Sequence, residues 1–176
     1  MANREALREL QSRLASRLQA ARAEGVQAGW LAVESSGSKY LFPLSQAGEI
    51  FPYTAAQAVP YTQAWFLGVA NLRGGLFGVV DLASYVSGRP PVQRSDAGRA
   101  EARLVALNQL LEINCALLID RLAGLRNTDA FMSSSDAPEG SPDYFGSGYT
   151  DASGAYWQEI NLQALSQQPQ FLSISA

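Results

Sequence analysis

The chain has 176 residues, a net charge of −3 and a composition of 47% hydrophobic and 16% charged residues, which is ordinary for a globular protein. That length suits one domain or two tightly joined subdomains and buries a core without staples. The acidic balance argues against nucleic acid as a partner, because phosphate binding needs basic surface. No run approaches the roughly 20 apolar residues of a membrane span, and the polar N-terminus lacks the apolar stretch of a secretory signal. There is no histidine, which removes Ser-His-Asp and Cys-His catalysis, most zinc sites and a phosphohistidine relay. The single Cys115 lies in an apolar run and reads as a small buried hydrophobe. Alone it makes neither an internal disulfide nor a thiolate metal site. No metal, no cofactor and no catalytic group are expected, and the default location is cytoplasmic.

Residues 3–24 carry Leu7, Leu10, Leu14, Leu18 and Ala21 at spacings of three and four, the stripe of an amphipathic helix. Gly25 is its stop, so residues 1–25 form an N-terminal helix and residues 26–176 the main domain. Two β-prone runs, Gly29 to Val33 and Lys39 to Leu44, flank Ser35-Ser36-Gly37-Ser38, which predicts a hairpin with Pro43 at a strand exit. A short strand is expected around Glu49, Ile50 and Phe51. Residues 65–82 read as two strands reversing through a polar turn from Asn71 to Gly75. Asp81 is placed to cap a short helix that begins at Leu82 and ends at Gly88. Residues 88–100, with Arg89-Pro90-Pro91, read as a connector between subdomains.

Strands are expected over residues 102–107 and 114–119, with Asp120 to Leu125 continuing or turning off the second. Residues 128–147, rich in Ser, Gly, Asp and Pro, read as a flexible insertion, since a structureless stretch of that length is uncommon in a compact domain. A closing hairpin is expected around Asp151 to Gly154, then a short helix capped by Asn161. Val80-Asp81-Leu82-Ala83 and Ile160-Asn161-Leu162-Gln163 share one plan of strand end, cap, leucine and helix, a hint of two similar halves. The alternating tail from Pro169 reads as a last strand. Many short strands with turn punctuation argue for small barrels or a sandwich.

Arg73 is the one full charge between Gly68 and Val80 and sits at the reversal point. It either ties its own turn by donating to nearby carbonyls or presents a planar fork of donors to a partner. Asn71 reads as structural because its side chain bonds nearby backbone, and Gly74 and Gly75 because positive φ is cheap for glycine. Asp81 reads as a cap rather than a catalyst, and Leu82 as core. An enzyme reading, a histidine-free hydrolase using Ser, Asp and Tyr, lacks a nucleophile elbow, a phosphate loop and a metal cluster.

The series Val59-Pro60, Leu67-Gly68-Val69, Asn71-Leu72-Arg73-Gly74 and Val79-Val80-Asp81-Leu82 resembles the CheW family of chemosensory coupling proteins in order and spacing. The likeness runs more loosely over residues 29–165. It implies a mainly β fold of two small SH3-like five-stranded barrels, here with an extra N-terminal helix. It implies a non-catalytic adaptor that couples the cytoplasmic tip of a methyl-accepting chemoreceptor to a CheA-like histidine kinase, with array self-association. It also implies receptor or partner contacts at Arg73, Asn71, Leu72, Ile50 and Phe51. Ala116 and Leu122 depart from the family's second G-x-x-V-D-x-V motif. That departure and the extra helix resemble the PilI branch, which implies control of type IV pili and twitching motility; an ordinary flagellar chemotaxis adaptor is the alternative. A free-standing kinase regulatory domain shares the fold, but no kinase segment precedes the end of the chain at Ala176, so an adaptor is expected.

Overall fold

The computed structural model describes residues 29–176 and, before them, Ser12, Arg13, Ala15 and Ser16, which are helical. The rest of the helix expected over residues 3–24 lies outside the described residues. Strands β1 (Trp30–Ser35) and β2 (Ser38–Pro43) form the expected hairpin. Their register, Trp30 opposite Pro43 through Ser35 opposite Ser38, leaves a two-residue turn. Ser36 and Gly37 both take positive φ, the twist that matches the flanking strands. Pro43 ends β2, where its missing N–H breaks no ladder.

Nine more strands follow: β3 (Ala47–Pro52), β4 (Phe66–Leu72), β5 (Gly75–Asp81), β6 (Arg103–Leu107), β7 (Cys115–Ile119), β8 (Arg121–Arg126), β9 (Phe131–Ser135), β10 (Phe145–Asp151) and β11 (Tyr156–Ile160). Within residues 29–176 the short α-helices are α1 (Leu82–Ser87), α2 (Asp96–Glu101), α3 (Leu162–Ser166) and α4 (Pro169–Leu172). The strands make two sheets, one ordered β8-β1-β2-β11-β10-β9 and the other β3-β6-β7-β5-β4. The fold is mainly β, as expected, but the first sheet has six strands rather than five.

The two sheets repeat one plan. Reading β8, β10, β11, α3, β1, β2 reproduces the neighbours of β3, β4, β5, α1, β6, β7. The one parallel pairing in each sheet, β2 with β11 and β7 with β5, falls at the same place. The first sheet is thus a circular permutation of the second, interrupted after β2 by the whole of the second sheet. The shared cap pattern is real in both halves. Asp81 Oδ1 accepts from the Ser84 N–H at 2.9 Å and Asn161 Oδ1 from the Ala164 N–H at 3.0 Å. Leu82 and Leu162 follow them, both fully buried.

Both faces of the central strands are covered, which explains their continuous apolar runs. On β7, Cys115, Leu117 and Ile119 face a core shared by the two sheets, while Ala116 and Leu118 face a cluster with Phe51, Leu72 and Leu104 inside the second sheet. On β1, Leu31 and Val33 face the shared core, while Trp30 and Ala32 join Leu41 and Trp157 inside the first. Each sheet curls around its own small cluster: Trp30 on β1 meets Phe131 on the edge strand β9, ring centroids 5.8 Å apart, and Phe51 on β3 meets Phe77 on β5 at 6.1 Å.

Three expectations are corrected. Residues 88–100 do not join subdomains, because β5 and β6 lie in the same sheet; the chain crosses between sheets from β2 to β3 and again at Asp120, between β7 and β8. The end of that stretch is helix α2, started by Ser95, whose Oγ accepts from the Gly98 N–H. Residues 128–147 hold a 3-10 turn (Thr128–Ala130), β9 and the start of β10. Serine-rich β9 hides in composition because, as an edge strand, it is largely exposed. The tail is helix α4 rather than a strand. Pro169 supplies a preset φ at the first turn and Phe171 is buried; only Ser175 makes a bridge, to Thr62.

Candidate functional site

The β4–β5 hairpin is tighter than the turn expected over Asn71 to Gly75. Leu72 pairs with Gly75, so the loop is Arg73-Gly74 alone. Arg73 (φ 49°) and Gly74 (φ 78°) both take left-handed backbone, a two-residue turn of the I′ kind. Asn71 stays in β4, and its Oδ1 accepts from the Gly74 N–H at 3.0 Å. Gly75 is the first residue of β5 and does not take positive φ. Its constraint is space, since a Cβ there would sit 3.0 Å from the Phe77 ring. The left-handed position expected of Gly75 belongs to Arg73, which costs an L-residue about a kcal/mol of strain.

Arg73 Nη1 pairs with Glu49 Oε1 at 2.5 Å. Glu49 lies on β3, the opposite edge of the same sheet, so the pair spans the sheet's open seam. The side chains are 77% and 41% exposed, so the pair is worth about 0–1 kcal/mol. Arg73 therefore remains on display, leaning on Glu49. Asn71 and Ile50 are exposed beside it. So is Leu76, paired with Asn71 across the hairpin and 63% exposed. Leu72 and Phe51, expected as partner contacts, are instead buried in the second sheet's own cluster. Strand alternation turns both inward while their neighbours Asn71 and Ile50 face solvent.

A second feature lies between the sheets. Asp81, almost fully buried, caps α1 with one oxygen; its Oδ2 accepts from Arg94 Nη1 at 3.0 Å. Arg94 Nε donates to Asp120 Oδ1 at 2.7 Å, and Asp120 Oδ2 accepts from the Ser36 N–H at 2.6 Å. A bonded chain thus runs from α1 through Arg94 and the crossing residue to the β1–β2 turn. Arg94 is only 15% exposed. Burial disfavours its charge, yet Asp81 and Asp120 outweigh that and raise its pKa. Glu34 stands nearby on β1, bonded to Arg121 and Lys39. Arg121 foremost, then Lys39, pull its carboxyl down to about 2.

These groups surround a cleft of about 610 Å³ walled by Ser36, Ser38 and Tyr40 of the first sheet and by α1 and residues 89–95 of the second. Its floor carries matched charge. Cys115 is buried, and burial pushes its thiol up to about 12, so it is inert at neutral pH. Among the described residues no cluster of carboxylates and thiols is arranged to hold a metal, and no helix is long and apolar enough to cross a membrane.

Sequence reasoning missed Arg94, Glu49 and Leu76. Arg94 sits in an aperiodic stretch with no motif. One signal existed: Val80-Asp81 and Ile119-Asp120 each end an apolar strand with aspartate, and like charges brought close need a cation. Glu49 had none, because only closure of the sheet brings β3 to the hairpin, and Leu76 reads as one more apolar strand residue until its pairing with exposed Asn71 places it outward.

A structural comparison finds the crystal structure of scaffolding protein TtCheW from Thermoanaerobacter tengcongensis at a TM-score of 0.64, with 15% identity over 80% of this chain and 93% of that one. At that identity the likeness shows the fold. No curated protein sequence matches the chain. The family model for the CheW-like domain matches residues 29–170, which takes in every strand of both sheets and the Arg73 turn, and the chain belongs to the CheW-like domain family.

Proposed function

We propose that this protein is a non-catalytic cytoplasmic adaptor that couples a chemoreceptor tip to a CheA-type histidine kinase. The observation that carries the reading is the family match over residues 29–170. The displayed turn supports it: Arg73 offers a fixed fork of donors, with Ile50 and Leu76 as apolar neighbours. A cation flanked by exposed apolar residues suits a helical partner with a carboxylate beside an apolar face. The Arg73 turn and the cleft between the sheets serve the receptor's helical hairpin, and a barrel face is the second docking surface, for the kinase's regulatory domain. Coupling then needs binding alone, since occupying both surfaces places receptor and kinase on one rigid body, and repeated contacts build an array.

We place the protein with the pilus-associated, PilI-type branch. Ala116 supports this, a fully buried residue of β7 where the family motif has glycine, as does the segment preceding residue 29. Titrating purified receptor tip and kinase regulatory domain onto the protein tests the adaptor reading: both bind at once, and Arg73→Glu weakens receptor binding at least tenfold while the circular dichroism spectrum stays the same. Full receptor binding by that variant overturns the role of Arg73, and failure to bind either partner overturns the adaptor. Deleting the gene separates the branches: loss of twitching with normal swimming supports the pilus assignment, and loss of swimming replaces it with flagellar chemotaxis.

A further inference from the structure

Residues 88–95 leave α1 and return to α2 without forming an element of their own. Their ends are fixed. The Gly88 N–H donates to Ser84 O, Ser84 Oγ donates to Arg89 O at 2.5 Å, and Ser95 caps α2. Between those ends, among the described residues, no backbone–backbone hydrogen bond ties residues 90–94 to anything. Pro90 and Pro91 have no N–H to offer and stiffen the path. None of residues 89–94 belongs to a buried apolar cluster, and Val92 points outward, 72% exposed. Among the described residues, the charge-assisted hold between those ends is Arg94, just before Ser95, through Asp81 and Asp120.

The segment also stands between two cavities. Pro91, Val92 and Arg94 line both the cleft of about 610 Å³ and a smaller cavity of about 180 Å³ floored by Tyr53, Leu67 and Leu118. The cleft lies against the first sheet, and the smaller cavity reaches Leu118 of the second sheet's own cluster, with Tyr53 and Leu67 packed against that cluster and Arg99 beside them. We propose that residues 88–95 are a strap latched by Arg94, and that releasing the latch joins the two cavities into one continuous groove that reaches Tyr53, Leu67 and Leu118. A segment with few apolar contacts and no backbone–backbone bonds over residues 90–94 opens at low cost, so the charge-assisted bonds of Arg94 decide its position. The latch gates what the cleft can admit: closed, a short segment; open, a longer amphipathic helix. The occupant rests on the adaptor reading, whereas the latch does not.

The test needs no partner. Leu67→Cys reports on the cavity beneath the strap and Val92→Cys carries a nitroxide on the strap itself; the native Cys115 is buried and stays silent. Arg94→Met keeps the length of the side chain and removes the latch. In that background maleimide modification of Leu67→Cys is expected to speed up at least tenfold, since one charge-assisted bond is worth about tenfold and Arg94→Met removes two, and the nitroxide spectrum at Val92→Cys sharpens. Should Arg94→Met fail to fold, Asp120→Ala removes one partner and leaves Asp81 in place; a severalfold acceleration is then expected. Modification rates and spectra equal to those of the parent, in either folded variant, overturn the latch.

Discussion

Asp81→Ala separates what a capping carboxylate contributes from what an ion pair contributes, because the fold contains its own control. Asp81 and Asn161 occupy the same place in the two halves. Each accepts a hydrogen bond from the third residue of a short helix at about the same distance, 2.9 and 3.0 Å, and each precedes a buried leucine. Only Asp81 also holds Arg94, with both side chains sheltered, 2% and 15% exposed. Losing a cap costs about 1 kcal/mol, so Asn161→Ala is expected to cost about that. Asp81→Ala loses the cap and a charge-assisted bond of about 2 kcal/mol. Arg94 keeps Asp120, so the loss stays below that of a fully orphaned buried charge. The total is about 3 kcal/mol, or a fall in Tm of about 6–10 °C for a chain of this size. Asp81→Asn keeps the cap and loses only the charge, so it should fall between the two. Urea unfolding followed by tryptophan fluorescence measures all three, with unchanged m-values as the two-state check. The reasoning fails if Asp81→Ala costs no more than Asn161→Ala, or if Asp81→Asn costs as much as Asp81→Ala.

Gly68→Ala is expected to destabilise by about 3 kcal/mol or more, since Gly68 takes φ +128° and an added Cβ would lie 1.9 Å from Gln57 O; a variant that unfolds at the parent's urea midpoint refutes it. Glu34 has its folded pKa lowered from 4.5 to about 2, so its contribution is present above about pH 4.5 and is lost as pH falls toward 2. The stability difference between the parent and Glu34→Gln should therefore shrink between pH 5 and pH 2.5, and a difference that holds constant over that window refutes the assignment. Arg73→Glu is expected to change stability by at most about 1 kcal/mol, because its pair with Glu49 is exposed; thermal unfolding checks this. Cys115 should ignore a thiol reagent until urea unfolds the chain, and modification of the native protein would place it outside the core.

The sequence was legible wherever chemistry is local. The β1–β2 hairpin, the cap at Asp81, the matching cap at Asn161 and the stop at Gly88 each follow from a few adjacent residues, and each stands in the structure. The family motif drew attention to the Arg73 turn for the same reason, since its glycine and arginine are neighbours in the chain. What was not legible depends on distance along the chain. Residues 88–100 could not be placed inside one sheet without knowing that β7 pairs in parallel with β5. Partner contacts at Leu72 and Phe51 failed because register decides which face of a strand is inward, and one residue of shift reverses it. Strand β9 failed because an edge strand with an open face does not need apolar residues to form.

The repeated plan of the two sheets also makes Arg73 more informative than a lone surface arginine. The counterpart of its turn in the first sheet is the connection between β10 and β11. There Asp151 accepts from the Ser153 N–H and O–H, the Ala155 N–H and the Trp157 indole N–H. That turn spends its charge on its own backbone and core, and those bonds, the Ser153 hydroxyl first and then the Trp157 indole, hold the Asp151 carboxyl well below the usual range. The Arg73 turn is closed by Asn71, a neutral side chain, and by a glycine that tolerates left-handed backbone. The arginine is not needed for closure and sits at a φ that favours glycine. One plan therefore yields a turn that satisfies itself and a turn that holds a cation outward at some strain. Folding alone accounts for the first. On the adaptor reading proposed above, the second is a surface that a partner meets, and Arg73→Gly tests that reading. Glycine accepts the turn's backbone at no strain, so the variant should be as stable as the parent or slightly more so, while losing receptor binding. A variant that is clearly less stable would show that Arg73 serves the fold, and one that keeps the parent's stability and binds the receptor fully would show that it serves neither.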